Sequence, residues 1–277
     1  MIYTRLFVSL LFLMVCSICI ADDQKHAVKH LFENTGLKSV LENVPEQIRR
    51  QAWDNHTDEH ESLLSAEDQA ILFKYLHKDY LYTSFIELMN QQMDTETLDI
   101  LVEQTTTPVI KKIQQIEIAT SKTQQEVLQK QMADYFEGLK ITPPSQKRLD
   151  LIMDLESASK ATDSIVFLME KVMRGVNQVM STGKEPVNNQ QIEQEISIAT
   201  LMMQNVAKTQ IIMMMHFTYR DVDDKELSTY LDMLQTKEKQ QFLNTSVEAL
   251  GEVFLNALQK GFDELIDIKL DKSTVAI

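Results

Sequence analysis

Apolar side chains recur at helical spacing along most of the chain. Positions three and four residues apart lie on one face of an α-helix, whereas a half-buried strand alternates apolar and polar residues. No such alternation persists, and the chain has only 6 glycines and 5 prolines. A representative stripe consists of Ile165, Leu168, Val172, Val176 and Val179. The pattern predicts an all-α protein, a multi-helix bundle of about nine to eleven helices.

Capping and breaking residues predict where several of these helices begin and end. Ser65 is a suitable N-cap, and the apolar pattern after it predicts a helix that runs to about Gln92. Pro108 suits the first turn of a further long helix, because the amide that proline lacks has no partner there anyway. Gly138 marks the expected end of that helix.

The segment Thr142-Pro143-Pro144 interrupts the pattern and divides the chain. Proline cannot donate a backbone hydrogen bond, and it disfavours helix at the residue before it. We therefore predict an N-terminal helical half over residues 22–141 and a C-terminal half over residues 142–277. Within the second half, residues 189–217 are apolar on nearly all sides, which predicts a central helix buried all round.

The N-terminal segment, residues 1–21, has the order of a secretory signal peptide. A charged start with Arg5 precedes the apolar run of residues 6–20, and small side chains lead to an expected cleavage site near Ala21. This run is shorter than the ~20 residues of a spanning helix, so an uncleaved anchor is the less favoured alternative. We expect export to the periplasm by the general secretory route, and a protein that is not integral to the membrane. The mature chain would lack cysteine, because Cys16 and Cys19 belong to the signal.

The charge balance argues against several classes of partner. The chain has 27 lysines and arginines against 41 aspartates and glutamates, for a formal net charge of −14. Such a chain repels phosphate backbones unless a local basic patch overrides the field, and its densest positive clusters are pairs such as Lys147-Arg148. We therefore expect no nucleic acid among its partners.

One pattern occurs twice in the chain. Asp94 and Asp223 each precede a short helical segment, and Thr107 and Thr236 each precede a longer one. The interval between the two aspartates equals the interval between the two threonines. Asp223 and Glu226 also have the spacing of a capping box. The repeat predicts two duplicated helical hairpins. The alternative is that unrelated helical hairpins resemble each other to this extent.

The second copy of this pattern resembles a known family. Tyr219-Arg220-Asp221, an acidic pair at Asp223-Asp224 and the leucine-rich segment from Tyr230 to Thr236 resemble the signature of bacterial exported proteins with domain of unknown function 2059. The resemblance extends over roughly Tyr80 to Ala257 and is weaker in the first copy. It departs at Lys237-Glu238-Lys239, where the family usually has proline, a small residue and glycine. The resemblance implies a Gram-negative envelope protein and no particular activity.

Methionines supply the first candidate binding surface. The long thioether side chain adapts to irregular apolar surfaces, so methionines on a helix either fill the core or line a groove for another envelope protein or an apolar ligand. Met213-Met214-Met215 cannot converge on one copper ion, because successive helical residues point about 100° apart. The candidate groove residues are Met202, Met203, Ile212 and Met215.

Tyr219 and Arg220 are the other candidate binding residues. Arg220 has acidic neighbours at Asp221, Asp223 and Asp224, and pairing with one of them would hold the entry to the second hairpin. The functional alternative is recognition of an acidic group on a partner by the same guanidinium.

A histidine pair provides the alternative chemistry. His56 and His60 are four residues apart in an acidic segment, a spacing that lets two imidazoles share a metal on a helix. The glutamate that a metalloprotease motif places directly after the first histidine is missing. No glycine-flanked nucleophile elbow or phosphate-binding loop occurs in the sequence. The sequence therefore favours a non-catalytic binding or scaffolding protein of the envelope without a cofactor, with a metal-handling periplasmic protein as the alternative.

Overall fold

The computed structural model describes residues 24–33, 38, 41, 65–181 and 189–274, and these residues form eleven α-helices and no strand. This confirms the predicted all-α bundle. The expected signal peptide, His56 and His60 lie outside the described residues. The helices are α1 (Gln24–Glu33), α2 (Ala66–Leu72), α3 (Lys78–Gln92), α4 (Thr95–Gln104), α5 (Pro108–Ser121), α6 (Gln125–Ile141), α7 (Gln146–Ser159), α8 (Ala161–Ser181), α9 (Asn189–Thr218), α10 (Asp224–Leu234) and α11 (Lys237–Thr274).

The predicted N-caps form as local side-chain chemistry requires. Ser65 and Asp223 each complete a capping box, in which the cap side chain accepts an amide hydrogen bond and the third helical residue bonds back to the cap amide. Asp94 accepts from the amide of Thr97 at 2.8 Å. Ser145 accepts from the amide of Arg148 at 3.2 Å. These bonds satisfy backbone donors that have no partner within the helix.

Two long helices expected from the pattern are each divided in two. The one predicted from Ser65 to Gln92 ends at Leu72, and α3 begins again after His77, whose side chain accepts from the amide of Asp79. The helix that begins at Pro108 ends at Ser121. Gly138 lies within α6 and does not end it.

Hydroxyl side chains explain the end of α5. Thr120 Oγ1 donates to the carbonyl of Ile116 at 2.7 Å, and Ser121 Oγ donates to that of Ile118 at 2.9 Å. Such bonds offer the backbone carbonyls an alternative to the helical amide ladder, so a run of hydroxyl residues favours a helix end.

One apolar core runs through both halves of the chain. Phe85 and Leu98 from the first half and Ile152, Leu227 and Phe254 from the second are all buried in the same cluster. The 38-residue helix α11 packs against α2, α3 and α4 of the N-terminal half and against α8 of the C-terminal half. The core is therefore continuous across the division at residue 142.

The two copies of the repeated pattern are two pairs of consecutive helices, α4 with α5 and α10 with α11, and we call these pairs the first and the second hairpin. That each pair is an antiparallel, duplicated hairpin stays a prediction, but the two pairs contact each other. The short helix of each contacts the long helix of the other, with α4 on α11 and α10 on α5. The contacts are reciprocal, because Asp94 lies near Gln241 and Asp223 lies near Lys112. Lys112 holds the position in the first copy that Gln241 holds in the second. Both pairs of helices also begin at the interval that separates the two aspartates. A common origin of the two copies stays a prediction.

Within the described residues, the helices are too short or too polar for any of them to span a bilayer.

Candidate functional site

A buried polar cluster lies where the two hairpins meet. Its members are the Glu117 side chain on α5, Tyr219 just after α9, Tyr230 on α10 and Lys239 on α11. All four are buried, and Tyr219, Tyr230 and Lys239 are among the largest fully enclosed side chains of the described residues. We call these four residues the Glu117 cluster. Buried charged groups require partners, so their arrangement decides what the cluster can do.

The carboxyl group of Glu117 is the centre of this cluster. Tyr219 Oη donates to Glu117 Oε1 at 2.5 Å, and Tyr230 Oη donates to Oε2 at 3.5 Å. The two phenol rings meet edge to face with their centroids 6.3 Å apart. One carboxyl group therefore links α5 of the first hairpin to both the entry and the short helix of the second.

Burial perturbs both charged members of the cluster. Desolvation raises the pKa of Glu117 to about 8, although the hydrogen bonds from the two tyrosines and the nearby Lys239 act in the opposite direction. Desolvation also lowers the pKa of Lys239 to about 8, against the attraction of Glu117. Burial likewise raises the pKa of both phenols well above the usual value. Such shifts are common at active sites, but structural pairs in a core show them too.

The enclosure of the Glu117 cluster favours a structural role. Each of its side chains is covered by protein, so a substrate has no direct access to Glu117 or Lys239. Tyr219, a candidate binding residue from the sequence, is one of these enclosed residues and uses its hydroxyl for Glu117. The carboxyl group of Glu117 accepts internal hydrogen bonds from Tyr219 and Tyr230, and these bonds fix how the two hairpins pack.

Arg148 holds the entry to the second hairpin. Its guanidinium donates to the carbonyl of Tyr219 at 2.5 Å, to that of Val222 at 2.8 Å and to Asp224 Oδ1 at 2.9 Å. Three bonds from one planar group fix the geometry of the turn before α10. This role was not predicted from the sequence, since the basic pair Lys147-Arg148 does not indicate which distant carbonyl groups Arg148 binds.

Arg220 has a more peripheral position than its sequence context indicated. Its Nε lies 3.4 Å from Asp221 Oδ2, so one of the expected acidic neighbours is its partner, but both side chains are exposed. The guanidinium also stacks over the Phe217 ring at 4.2 Å and donates to the Phe217 carbonyl. An exposed ion pair of this kind adds little to stability.

The four residues of the predicted methionine groove do not line one surface. Met203 and Met215 are buried in the core, and Ile212 is half-buried against it. Met202 is 69% exposed and points the other way. The groove prediction is wrong in this form, because adjacent helical residues such as Met202 and Met203 project about 100° apart.

The outer face of α9 is apolar and exposed. Five large side chains on it are 40 to 69% exposed, and Asn205 and Thr209, which lie between them, are exposed and uncharged. These five residues, which we call the α9 stripe, are Ile198, Leu201, Met202, Val206 and Met213. The stripe extends about 22 Å along the helix axis at 1.5 Å per residue. The prediction that residues 189–217 are buried on all sides is therefore wrong on this face.

No metal centre is found in the described part of the chain. None of its His, Cys, Asp and Glu side chains form a group of three or more that could hold an ion. His56 and His60 lie outside that part, so metal binding by this pair stays a prediction.

Comparison with models of known protein families gives no match, and comparisons with curated proteins and with solved structures give none either. The resemblance of residues 217–236 to exported proteins with domain of unknown function 2059 therefore stays a prediction.

Proposed function

We propose that this chain is a non-catalytic binding or scaffolding protein of the bacterial envelope, and that it contacts another protein of the envelope through the α9 stripe. The observation that carries this proposal is the exposure of five large apolar side chains along one face of one helix. Contiguous apolar patches on a protein surface commonly mark interaction sites.

The opposite face of α9 supports this role, because it prevents the helix from turning the stripe inward. Ile196, Ala207 and Ile211 are buried on that side, and α9 packs there against α7 and α8. A rotation of the helix that buried the stripe would therefore expose the apolar side chains of the opposite face. The stripe is fixed in an outward orientation by the core itself.

The charge distribution also supports contact with an apolar partner surface. Charged residues make up 25% of the chain, yet Lys208, at the edge of the stripe beside Leu201, is the one charged side chain among the exposed residues from Ile198 to Met213. Charged side chains are depleted at the centres of protein interfaces, where they would lose water without gaining a partner. A nearly uncharged stripe on an otherwise acidic protein therefore fits binding through this face.

The expected signal peptide gives the proposal its cellular location. Residues 1–21 predict export and cleavage near Ala21, and N-terminal sequencing of the chain recovered from the periplasm tests this directly. A mature N-terminus at Asp22 is the expected result. Recovery of the intact chain from the cytoplasm would contradict the envelope location.

Site-specific photo-crosslinking in cells tests the proposed surface. A photoreactive residue replaces Met202 on the stripe or, as a matched control, Ile141, which is 86% exposed at the end of α6. We expect a discrete adduct from position 202 that is lost when Leu201→Asp is added, and none from position 141. Equal labelling at both positions, or none at position 202, would contradict the proposal.

A further inference from the structure

We propose that His216 is an acid sensor, and that protonation of its imidazole releases α6 from the rest of the bundle. His216 lies in the last turn of α9, and Tyr135 of α6 contacts it directly. The proposal concerns a movement within the protein itself. It therefore goes beyond the proposed function, and it is tested on the purified chain without a partner.

The contact between α6 and α9 is centred on Tyr135 and His216. Tyr135 Oη lies 2.8 Å from His216 Nδ1 and 3.4 Å from the carbonyl oxygen of His216. The Tyr135 ring meets that of Phe217 edge to face with the centroids 5.7 Å apart, and the Phe136 ring lies 6.4 Å from the imidazole. His216 is only 5% exposed. Because α6 supplies these neighbours, its departure would open the imidazole to water.

The second ring nitrogen of His216 has no hydrogen-bond partner among the described residues. Nε2 is buried there without a donor or an acceptor. A neutral imidazole tolerates this position, because it can carry its one proton on Nδ1. Nδ1–H then donates to Tyr135 Oη, and the Tyr135 hydroxyl donates to the carbonyl of His216. The neutral ring thus leaves no N–H group without an acceptor.

Protonation removes this balance. The imidazolium carries a proton on both nitrogens, so Nε2 becomes a buried, charged donor without an acceptor. Burial of such a group is costly, and water would satisfy it at once. When α6 moves away, the imidazolium gains that water. Acid therefore favours the state in which α6 is released.

The positive charges near His216 strengthen this effect. The guanidinium of Arg148 on α7 acts on the imidazole with the same sign of charge. Its carboxylate partner, Asp224 of α10, already pairs with it at 2.9 Å. After α9, Arg220 lies 3.4 Å from Asp221, and both of these side chains are exposed. The two nearby carboxylates are thus each bound to an arginine.

The carboxyl groups on the other helices that pack against α9 are engaged elsewhere. Glu117 on α5 is protonated below a pKa of about 8 and adds no negative charge in acid. Glu156 on α7 lies 3.6 Å from Lys208, which is two turns of α9 away from the imidazole. Glu137 on α6 and Glu170 on α8 each pair with a basic residue of their own helix. The described carboxylates therefore give the imidazolium no ready partner.

The pKa of His216 agrees with this geometry. Burial lowers it from the ordinary value of 6.5, and the charge of Arg148 lowers it further. The ring regains its ordinary pKa when α6 moves away. The contribution of the neutral ring to docking is therefore fully present above pH 6.5, and it is lost as the pH falls through the lowered pKa. Glu117 changes stability in the opposite direction in this range, so it does not explain a loss in acid.

The attachment of α6 depends on a narrow strip of its surface. Leu128 is its one fully buried residue, and Met132, Tyr135 and Phe136 are half-buried against the core. Among the described helices, α9 is its main neighbour. The non-helical segments 122–124 and 142–145 border it on both sides and can act as hinges. Loss of the contact with the imidazole therefore weakens a large part of what holds α6.

Release of α6 would extend the apolar surface of α9. His216 and Phe217 follow Met213 by three and four residues, so they continue the face that carries the α9 stripe. The departure of α6 would uncover the Phe217 ring beside that stripe. This consequence rests on the proposed function, because only a partner at the α9 stripe would respond to it. The release itself requires no partner.

Hydrogen exchange of the purified protein, followed by mass spectrometry, tests the release. Peptides from α6 are compared with peptides from α10 at about pH 5 and about pH 7.5, and each rate is corrected for the exchange of the unfolded chain at the same pH. We expect the corrected exchange of α6 to be about tenfold faster at the lower pH, and that of α10 to be unchanged. Equal exchange of α6 at both pH values, or equal acceleration of α6 and α10, would overturn the proposal.

Two substitutions of the sensor test its identity. His216→Phe keeps an aromatic ring in the contact, and His216→Gln keeps a polar side chain, but neither residue titrates in this range. We expect the exchange of α6 to become independent of pH in whichever variant retains the circular dichroism spectrum of the wild type. Acceleration in acid that persists in such a variant would show that another group is the sensor, and it would contradict the assignment.

A second histidine supplies the matched control. His77 is exposed at the start of α3, and asparagine can keep the N-cap hydrogen bond that its side chain accepts from the amide of Asp79. His77→Asn should leave the acid response of α6 as it is in the wild type. A response lost in His77→Asn to the same extent as in the His216 variants would overturn the role of His216.

Discussion

Tyr219 Oη donates a hydrogen bond to Glu117 Oε1 at 2.5 Å across 102 residues of sequence. The bond joins the residue that leads into the second hairpin to the long helix of the first. Because both groups are enclosed, neither can exchange its partner for water. A buried polar contact thus contributes to the packing of the two hairpins, beside the apolar contacts of the core.

Removal of the Tyr219 hydroxyl should destabilise the protein. Tyr219→Phe leaves a buried carboxyl oxygen with one donor fewer, and we expect the free energy of unfolding to fall by about 1–3 kcal/mol. Urea denaturation followed by circular dichroism measures this change. Tyr75→Phe is the control, since it removes a 2.9 Å bond to Glu264 at a partly exposed position and should cost less. Equal losses in both variants would contradict a special role for the buried bond.

The raised pKa of Glu117 predicts that stability falls as the pH rises. The folded state holds this proton up to a pKa of about 8, whereas the unfolded chain releases it near the ordinary value of 4.5. The contribution is therefore fully present below pH 4.5 and is lost as the pH rises towards 8. Glu117→Gln should flatten this slope, and urea denaturation at a series of pH values across this window measures it.

The lysine of the same cluster predicts the opposite slope at higher pH. The folded pKa of Lys239 is lowered to about 8 from 10.5, so its burial penalty is greatest below pH 8 and disappears as the pH rises to 10.5. Stability should consequently pass through a minimum near pH 8 in the wild-type chain, and the same denaturation series extended to higher pH locates it. A monotonic dependence in the wild type, identical to that of Glu117→Gln, would contradict both assignments.

Arg148 should matter more for stability than Arg220. Arg148→Met removes donors to two carbonyls and to Asp224, and we expect a loss of about 2–4 kcal/mol. Arg220→Met breaks an exposed pair with Asp221 and should cost less than about 1 kcal/mol. Thermal unfolding of the two variants compares them, and a larger loss for Arg220→Met would contradict the roles assigned here.

Gly261 marks a very close approach between helices. A Cβ built at this position would lie 2.1 Å from the carbonyl oxygen of Leu72, so Gly261→Ala must displace the end of α2 from α11. We expect a clear fall in the melting temperature. Gly138→Ala is the matched control, because no atom lies within 4 Å of a Cβ built at this position. Alanine within a helix is also more stable than glycine by about 0.5–1 kcal/mol. A stabilising Gly261→Ala would contradict the packing described for these helices.

The sequence predicted the helix starts more reliably than the helix ends. Ser65, Asp94, Ser145 and Asp223 cap helices as expected, since an N-cap depends on residues only two or three positions away. The interruption before His77 was not predicted, because the apolar spacing continues on both sides of it.

The face of α9 that remains exposed could not be predicted from its sequence. Apolar residues surround this helix, so only the packing of α7 and α8 on one side determines that Met203 is buried and Met202 is not. The partners of Arg148 were equally inaccessible, since they are backbone carbonyls 71 and 74 residues away. The orientation of α9 and the hydrogen bonds of Arg148 both depend on contacts between residues that are far apart in the sequence. The proposed surface depends on the first, and the entry to the second hairpin depends on the second.

Oxidation of Met202 tests the central claim, that the α9 stripe is covered by a partner in the cell. Dilute peroxide treatment followed by mass spectrometry compares Met202 with Met153, which is also exposed but lies on α7 outside the stripe. We expect Met153 to be oxidised equally in intact cells and in the dilute purified protein, and Met202 to be protected in cells alone. Oxidation of Met202 at the same rate in both conditions would contradict the claim.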